Sequence, residues 1–264
     1  MSRHELIDEQ WKIIEPLLPK RKTKIGRPPI PLRKVLNGII YVLKTGVAWM
    51  DMPKKYGSYV TCWRRLKEWE KVGIWERIWR KLLGMLQEKK RLNWDQVYLD
   101  GSFVAAKRGG TGIGNTKMGK GTKVMAVAEK NGIPIGILVE SAQPHEIRLA
   151  ERTLATIGYH PSEVDPLVDF ANWSQIVLTI VELFVSRFEK KIKPTIPGRK
   201  TDKKRKGRPL AVGDGYKQRW KIERCFAWMD NNRRLVVRYE RYIQHYKAFC
   251  LLSLILLCVN RLLK

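Results

Sequence analysis

Hydrophobic positions in the first ninety residues recur at helical spacing. Leu6, Ile7, Trp11, Ile14, Leu17 and Leu18 predict a helix over 5–19, ended by Pro16 and Pro19. A basic stretch, Lys20 to Arg27, is closed by Pro28 and Pro29. Val35, Ile39, Ile40 and Leu43 then mark a helix over 32–45, stopped by Gly46. Two further helical segments, 59–71 and 75–90, have Gly73 between them. Short helices joined by tight turns suit a helix-turn-helix module. A bundle whose Lys and Arg only solvate its outside has the same pattern.

The period changes near Trp94. Gln96 to Asp100 reads as a strand ending on a carboxylate, followed by a Gly-rich basic loop, Lys107 to Gly121. Lys123–Glu129 and Pro134–Glu140 read as strands around Asn131-Gly132, a hairpin signal. His145 to Ile157 is an amphipathic helix, and Val164 to Asp169 reads as another strand ending on a carboxylate. Ile176 to Phe188 is apolar and fits either a helix or a strand. Lys190 to Leu210 mixes Pro and Gly with many Lys and Arg, as an exposed basic loop does. Helices are predicted over about 214–232 and 243–263. There is no internal repeat. Strands followed by helices indicate a mixed α/β layer.

Composition narrows the partners. The chain has 264 residues, enough for one large domain or two small ones with a substantial core. Fifty-two Lys and Arg against 25 Asp and Glu leave a net charge of +27. Such an excess repels itself unless a polyanion neutralises it, so nucleic acid is the first expected partner and an anionic membrane surface the second. The opening Met-Ser-Arg-His-Glu-Leu has no secretory h-region. The longest apolar run, Ala248 to Val259, is interrupted by Ser253 and is too short for a bilayer; it predicts a buried helix and no membrane span. Cys62, Cys225, Cys250 and Cys258 form no CxxC pair and have no His at finger spacing. They read as reduced thiols of a cytoplasmic protein, not as a zinc site or a disulfide framework.

Two carboxylates carry candidate chemistry. Asp100, followed by Gly101-Ser102, sits where a strand-end carboxylate can meet others; hard cations such as Mg²⁺ need such oxygen clusters. A turn or cap residue is the plainer reading of a lone strand-end Asp. Tyr216, Arg219 and Glu223 lie on one side of a helix, and Trp220, Phe226 and Ala227 suggest partial burial of Glu223. An i, i+4 salt bridge to Arg219 would satisfy Glu223, and so would a metal, with Arg219 then on phosphate.

Tyr216-x-x-Arg219-x-x-x-Glu223 resembles the Y-(2)-R-(3)-E signature of insertion-sequence DDE transposases. The resemblance to the IS-five-like group covers nearly the whole chain. Gly46-Val47-Ala48-Trp49-x-x-Met52-Pro53, Tyr56-Gly57, Trp63-Arg64-Arg65 and Gly73-Ile74-Trp75 are similar to its N-terminal helical domain. Leu99-Asp100-Gly101-Ser102 is similar to its first catalytic motif. Gly109-Gly110 through Lys120-Gly121-Thr122-Lys123 and Ser141-Ala142-x-x-His145-Glu146 match further motifs. So do Glu223-Arg224-x-Phe226-Ala227-Trp228 and Arg233-Arg234-Leu235-x-Val237-Arg238-Tyr239-Glu240.

The resemblance implies an α/β fold: a ribonuclease-H-like mixed sheet with flanking helices over 94–264, preceded by an all-α, helix-turn-helix-like DNA-binding domain over 1–90. It implies a D, D, E triad holding Mg²⁺ (or Mn²⁺), cleavage at transposon ends, and joining of the 3′-OH to target DNA. The expected partner is double-stranded DNA, terminal inverted repeats and target alike, bound by a homodimer or larger assembly in the cytoplasm, on the nucleoid if the host is bacterial. Asp100 takes the first position and Glu223 the third. The family's Lys seven positions after the Glu is Asp230 here, leaving its role to Arg233 or Arg234. Candidate DNA contacts are Arg64, Arg65, Lys120, Lys123, Arg219, Arg233 and Arg234. Arg27 in Gly26-Arg27-Pro28 and Arg208 in Gly207-Arg208-Pro209 resemble minor-groove hooks; ordinary basic loops also fit.

The second Asp motif, of the form Leu-Val-Ala-Asp-Arg-Ala-Tyr-Asp-Ser, is absent. The region reads Asn172-Trp173-Ser174-Gln175-Ile176-Val177-Leu178-Thr179-Ile180-Val181. Taking the third base of each codon with the first two of the next, every junction permits the family residue. The Asp codon then overlaps those of Gln175 and Ile176. This segment therefore reads as translated out of frame, with the frame restored before Lys190. Asp169 is the nearest surviving stand-in and Asp165 a poorer one. The chain is then either an active transposase or a defective remnant that binds DNA without cutting it.

Overall fold

The computed structural model describes residues 4–19, 30–157, 218 and 220–264. Four helices open the chain: α1 (Asp8–Ile14), α2 (Leu32–Thr45), α3 (Tyr59–Lys71) and α4 (Ile74–Glu88). The first is shorter than the pattern predicts. Pro16 has no N–H to continue an α-helix, and the chain tightens into a 3₁₀ turn, Glu15–Leu17. The second ends as predicted, because Gly46 takes a left-handed φ of 74° and its N–H caps Val42 O. Gly73, at φ 67°, turns α3 directly into α4. Buried Trp69 and Trp75 then meet edge to face at 5.1 Å.

Strands β1 (Val97–Ala105), β2 (Gly114–Thr116), β3 (Gly119–Glu129) and β4 (Pro134–Ser141) form one antiparallel sheet. Central β3 carries β1 on one side and β4 on the other, with short β2 against its start. The predicted hairpin is present, with Gly132 at φ 81°. Buried Glu129 holds its turn by accepting from the N–H groups of Asn93, Asn131 and Ile133. Asp100 does not end its strand as the sequence suggests. The strand runs on to Ala105, because Tyr98, Asp100, Ser102 and Val104 continue the two-residue alternation on one face. Nor is 107–121 only a loop, since it contains β2 and the start of β3.

Helices cover both faces. The α5 helix (Glu146–Leu154) lies on the face of Gly101, where a Cβ would meet Glu146 Cγ at 3.2 Å. On the other face lies α6 (Trp220–Asp230), whose Ile222 and Cys225 pack on Ala126, Ala128 and Tyr98. A short helix, α7 (Arg233–Val236), which the sequence pattern did not predict, leads to the long α8 (Ile243–Leu263).

The α8 helix has the bounds that the sequence predicts, with the apolar run Ala248 to Val259 inside it. At 21 residues it is long and apolar enough to cross a bilayer, but 72% of its most apolar window is buried against the rest of the chain. It packs on α1, α3 and α4 as the central core helix of the helical part. Its Ser253 accepts from the Asn232 amide at 2.8 Å. All four cysteines are buried and free. Burial pushes the Cys62 thiol up to about 11 and those of Cys225 and Cys258 to about 12, which keeps them protonated and inert at neutral pH.

Charged groups of three helices meet where α3, α4 and α8 join. Lys247 of α8 lies 3.2 Å from Glu76, which Arg80 also pairs at 2.6 Å. Burial, opposed by Lys247 and reinforced by Glu76, pushes the neighbouring Glu70 carboxyl up to about 7 from 4.5. A raised folded pKa means that the folded chain keeps a proton the unfolded chain has already released. Stability therefore falls as pH rises from about 4.5 to about 7, by at most about 3 kcal/mol, and is level above that. Glu70→Gln is expected to flatten this slope and raise the melting temperature at pH 8. A variant whose melts at pH 5 and pH 8 differ as much as those of the parent would rule this out.

Candidate functional site

Register places Asp100 opposite Ala126, on the sheet face that carries α6. The residue is half-buried, and its Oδ1 accepts from the Gly101 N–H at 2.9 Å. Glu223 lies in the first turn of α6. Asp100 and the helix bearing Glu223 are thus neighbours on one face, tied by the shared cluster of Ala126, Ala128, Ile222, Cys225 and Tyr98. The Tyr98 hydroxyl also reaches Gln218 Oε1, just before α6, at 3.3 Å. Contrary to expectation, Glu223 is exposed. Ile222, Cys225 and Met229 take the buried stripe of α6 and turn Glu223 outward.

Asp169, Asp165, Tyr216, Arg219, Arg27 and Arg208 lie outside the described residues. Among the described residues, no three of His, Cys, Asp and Glu gather as a metal-holding set.

The basic candidates separate by environment. Arg64 is exposed on α3, next to a Lys67 ammonium held 4.1 Å over the Trp63 ring. Arg65 pairs with Glu68 at 3.0 Å on the same helix. Lys120 is exposed at the start of β3. Lys123 points to the face away from Asp100, where it donates to Pro144 O at 2.9 Å and lies 3.8 Å from Glu146. Arg233 is exposed.

Arg234 is different. It is buried, paired with buried Glu240 at 2.7 Å, and donates to Val47 O at 3.1 Å. Its guanidinium joins the α2 exit to the segment before α8 and is not presented to a phosphate as the sequence suggested.

Two features were missed in the sequence. Trp220, Arg224 and Trp228 follow one another at i, i+4 and i+8 on α6, with the Arg224 guanidinium 4.7 Å from one ring and 4.9 Å from the other. Arg261 of α8 continues the stack at 4.8 Å from Trp228. The i, i+4 spacing was the available signal, while the part played by Arg261 was not visible. The second feature is Arg238, 1% exposed, which donates to the carbonyls of Thr111, Gly112, Glu240 and Arg241 and to the Thr122 hydroxyl. It clasps the Gly-rich segment onto the approach to α8. A Cβ on Gly110 would overlap the Arg241 carbonyl, and one on Gly112 the Ile243 side chain.

Residues 6–79 match the family described as transposase of IS4/5 family. The "Insertion element IS402 uncharacterized 16.2 kDa protein" of Burkholderia cepacia is 39% identical over 122 residues, covering 44% of this chain and 83% of that protein. The "Uncharacterized protein y4sN" of Sinorhizobium fredii is 25% identical over 115 residues, covering 44% of this chain and 87% of that protein. No solved structure matches. A mixed α/β chain of this charge with these relatives is an insertion-sequence protein. The chain belongs to the IS4/5 family of transposases.

Proposed function

We propose that the chain is built for metal-dependent phosphoryl transfer on DNA, with Asp100 and Glu223 sharing one cation. The supporting observation is the common sheet face that Asp100 shares with the helix bearing Glu223. Mg²⁺ or Mn²⁺ fits such donors, since a hard cation of this kind takes one or two carboxylates and completes its shell with water and phosphate oxygens. When bound, it would polarise the phosphodiester. Asp100 and Glu223 would hold the cation, and Arg219 would position phosphate or Glu223.

In this reading 1–90 is the duplex-binding, helix-turn-helix-like part, with the exposed face of α3 around Arg64 toward DNA. Residues 94–264 are the ribonuclease-H-like part, and α8 returns to complete the helical core. Two observations support the latter: an antiparallel sheet with helices on both faces, and an outer edge of β1 that has no partner strand among the described residues. The protein works in the bacterial cytoplasm as a dimer or larger assembly on terminal repeats and target.

A second reading, a remnant that binds DNA without cutting it, is favoured by the missing Asp motif at 172–181. Both readings share the two-carboxylate site, which Mn²⁺ binding to the full chain, followed by electron paramagnetic resonance, tests directly. Asp100→Asn and Glu223→Gln are each expected to weaken binding about ten-fold, and the double variant to be little worse than either, because partners on one ion are not additive. If neither change alters Mn²⁺ binding, the two carboxylates do not share a cation.

A further inference from the structure

The β2–β3 hairpin ends in a two-residue turn, Lys117-Met118, between paired Thr116 and Gly119. Five basic residues and no Asp or Glu lie between Asp100 and Glu129. Of the five, Lys123 is engaged with Glu146 and Pro144 O. The other four, Lys107, Arg108, Lys117 and Lys120, are exposed, and none has an ion pair among the described residues. The Ala106 N–H donates to Lys120 O at 3.0 Å, which sets Lys107 and Arg108 beside the same turn. The acids of the flanking segments are already paired: Glu140 with Arg152, Glu146 with Lys123 and Glu240 with Arg234.

Lysines on a short edge strand have an ordinary explanation, because charge deters pairing with another sheet edge. Met118 does not fit it. Its side chain is 74% exposed at the tip, where turn chemistry favours Asn, Asp, Gly or Ser. One exposed apolar side chain is ordinary in itself; its setting among four cations is not. A Cβ on Gly119 would meet nothing within 4 Å, so the tip stands clear of the other described residues. The root is held instead. A Cβ on Gly114 would overlap Ser141 Oγ, one on Gly121 the Phe103 ring, and Arg238 donates to Gly112 O and the Thr122 hydroxyl. Thr116 orders the turn by donating to Gly119 O at 2.9 Å and accepting from the Met118 N–H at 3.1 Å. An arm fixed in this way loses little freedom when it binds.

We propose that this hairpin is a duplex-bending arm, with Lys117 and Lys120 on phosphates and Met118 entering the minor groove as a wedge between base pairs. Methionine is among the apolar side chains that unstack a base step from the minor groove and kink the duplex toward the major groove. Backbone contacts that the bend permits offset the unstacking, and Lys107 and Arg108 stand ready to make them. Met118 lies eight residues before Ala126, the partner of Asp100, which is about 26 Å of extended chain. At ~3.4 Å per base pair the kink falls about eight base pairs from the carboxylates. The proposal rests on the DNA-binding part of the reading above and not on its metal site.

Fluorescence with the full chain, in chelator, tests the arm apart from catalysis. The probe is a duplex with 2-aminopurine in place of adenine at several pyrimidine–purine steps, which unstack most easily. Binding is followed by the anisotropy of an end label across a range of salt. The parent chain is expected to brighten the 2-aminopurine. Met118→Ala should cut that rise about five-fold at saturating protein, and Met118→Leu, which keeps a wedge, should restore most of it. Neither should change the slope of log affinity against log salt. Lys117→Gln/Lys120→Gln should flatten that slope by about 1.8, or about 0.9 for each lost phosphate contact. All these changes fall at exposed positions, where folding tolerates them. Duplex bound without brightening, or brightening that Met118→Ala leaves intact, overturns the proposal. So does a Met118→Ala chain that brightens the probe as the parent does but sediments differently without DNA, which would make the tip a contact between copies. A parent chain that binds no duplex overturns the DNA-binding reading itself, so the two fall separately.

Discussion

A chain whose frame is shifted across 172–189, so that it carries Leu-Val-Ala-Asp-Arg-Ala-Tyr-Asp-Ser, is expected to cut the ends of its own element in Mg²⁺ at least about a hundred-fold faster than the chain as written. The reason is charge and placement. Two cations beside a polyanionic substrate need more carboxylate than Asp100 and Glu223 provide, and a misplaced reacting group costs on the order of 10²-fold in rate. Val177, Leu178, Ile180 and Val181 put apolar groups where the family has Arg, Ala, Asp and Ser. Nicking of labelled end duplex is the assay, and Asp100→Asn in the repaired chain should return it to baseline. If the written chain cuts as well as the repaired one, and Asp169→Asn abolishes that cutting, Asp169 is the second ligand and the out-of-frame reading is wrong.

Arg238→Met is expected to lower the free energy of unfolding by about 3–5 kcal/mol, the largest single loss of stability anticipated. The side chain is almost completely enclosed, and burial holds its pKa below the usual arginine value. Five acceptors surround its guanidinium: four backbone carbonyls and the Thr122 hydroxyl. Methionine fills much of the volume but donates nothing, and each carbonyl left dry and unpaired costs about 1–3 kcal/mol before relaxation. Arg238→Lys should recover only part of the loss, because one ammonium cannot span acceptors fixed for a planar fork. Urea denaturation of both variants measures the effect; a loss below about 1 kcal/mol for the methionine variant would mean that water replaces the clasp.

Local chemistry was legible and remote packing was not. The end of α2 could be read to the residue, because Gly46 acts through its own φ, and the Asn131-Gly132 hairpin is equally local. Asp100 was placed on a strand, but the strand's continuation was hidden by Gly101-Ser102, which look like a turn until β3 pairs with them. The glycines at 110 and 112 read as a loop because Arg241 and Ile243, which they pack against, lie about 130 residues away. Arg234 and Arg238 sat in a basic motif and were indistinguishable from surface cations until Glu240 and the carbonyls around them were seen. Glu223 was assigned to the correct helix but to the wrong side of the buried stripe. Trp220 and Ala227 are apolar and so point to burial, yet both are exposed.

The stretch between α6 and α8 joins the sheet to the helical core. It is pinned at Arg234 to the α2 exit and at Arg238 to the segment before β2. Such a strut has no slack at which to pivot. A force on α6 passes through the strut into α8, and from there into α1, α3 and α4. Rotation of α6 against α8 would have to break the Arg234 and Arg238 hydrogen bonds first, so the sheet and the helical core are coupled through two guanidinium groups.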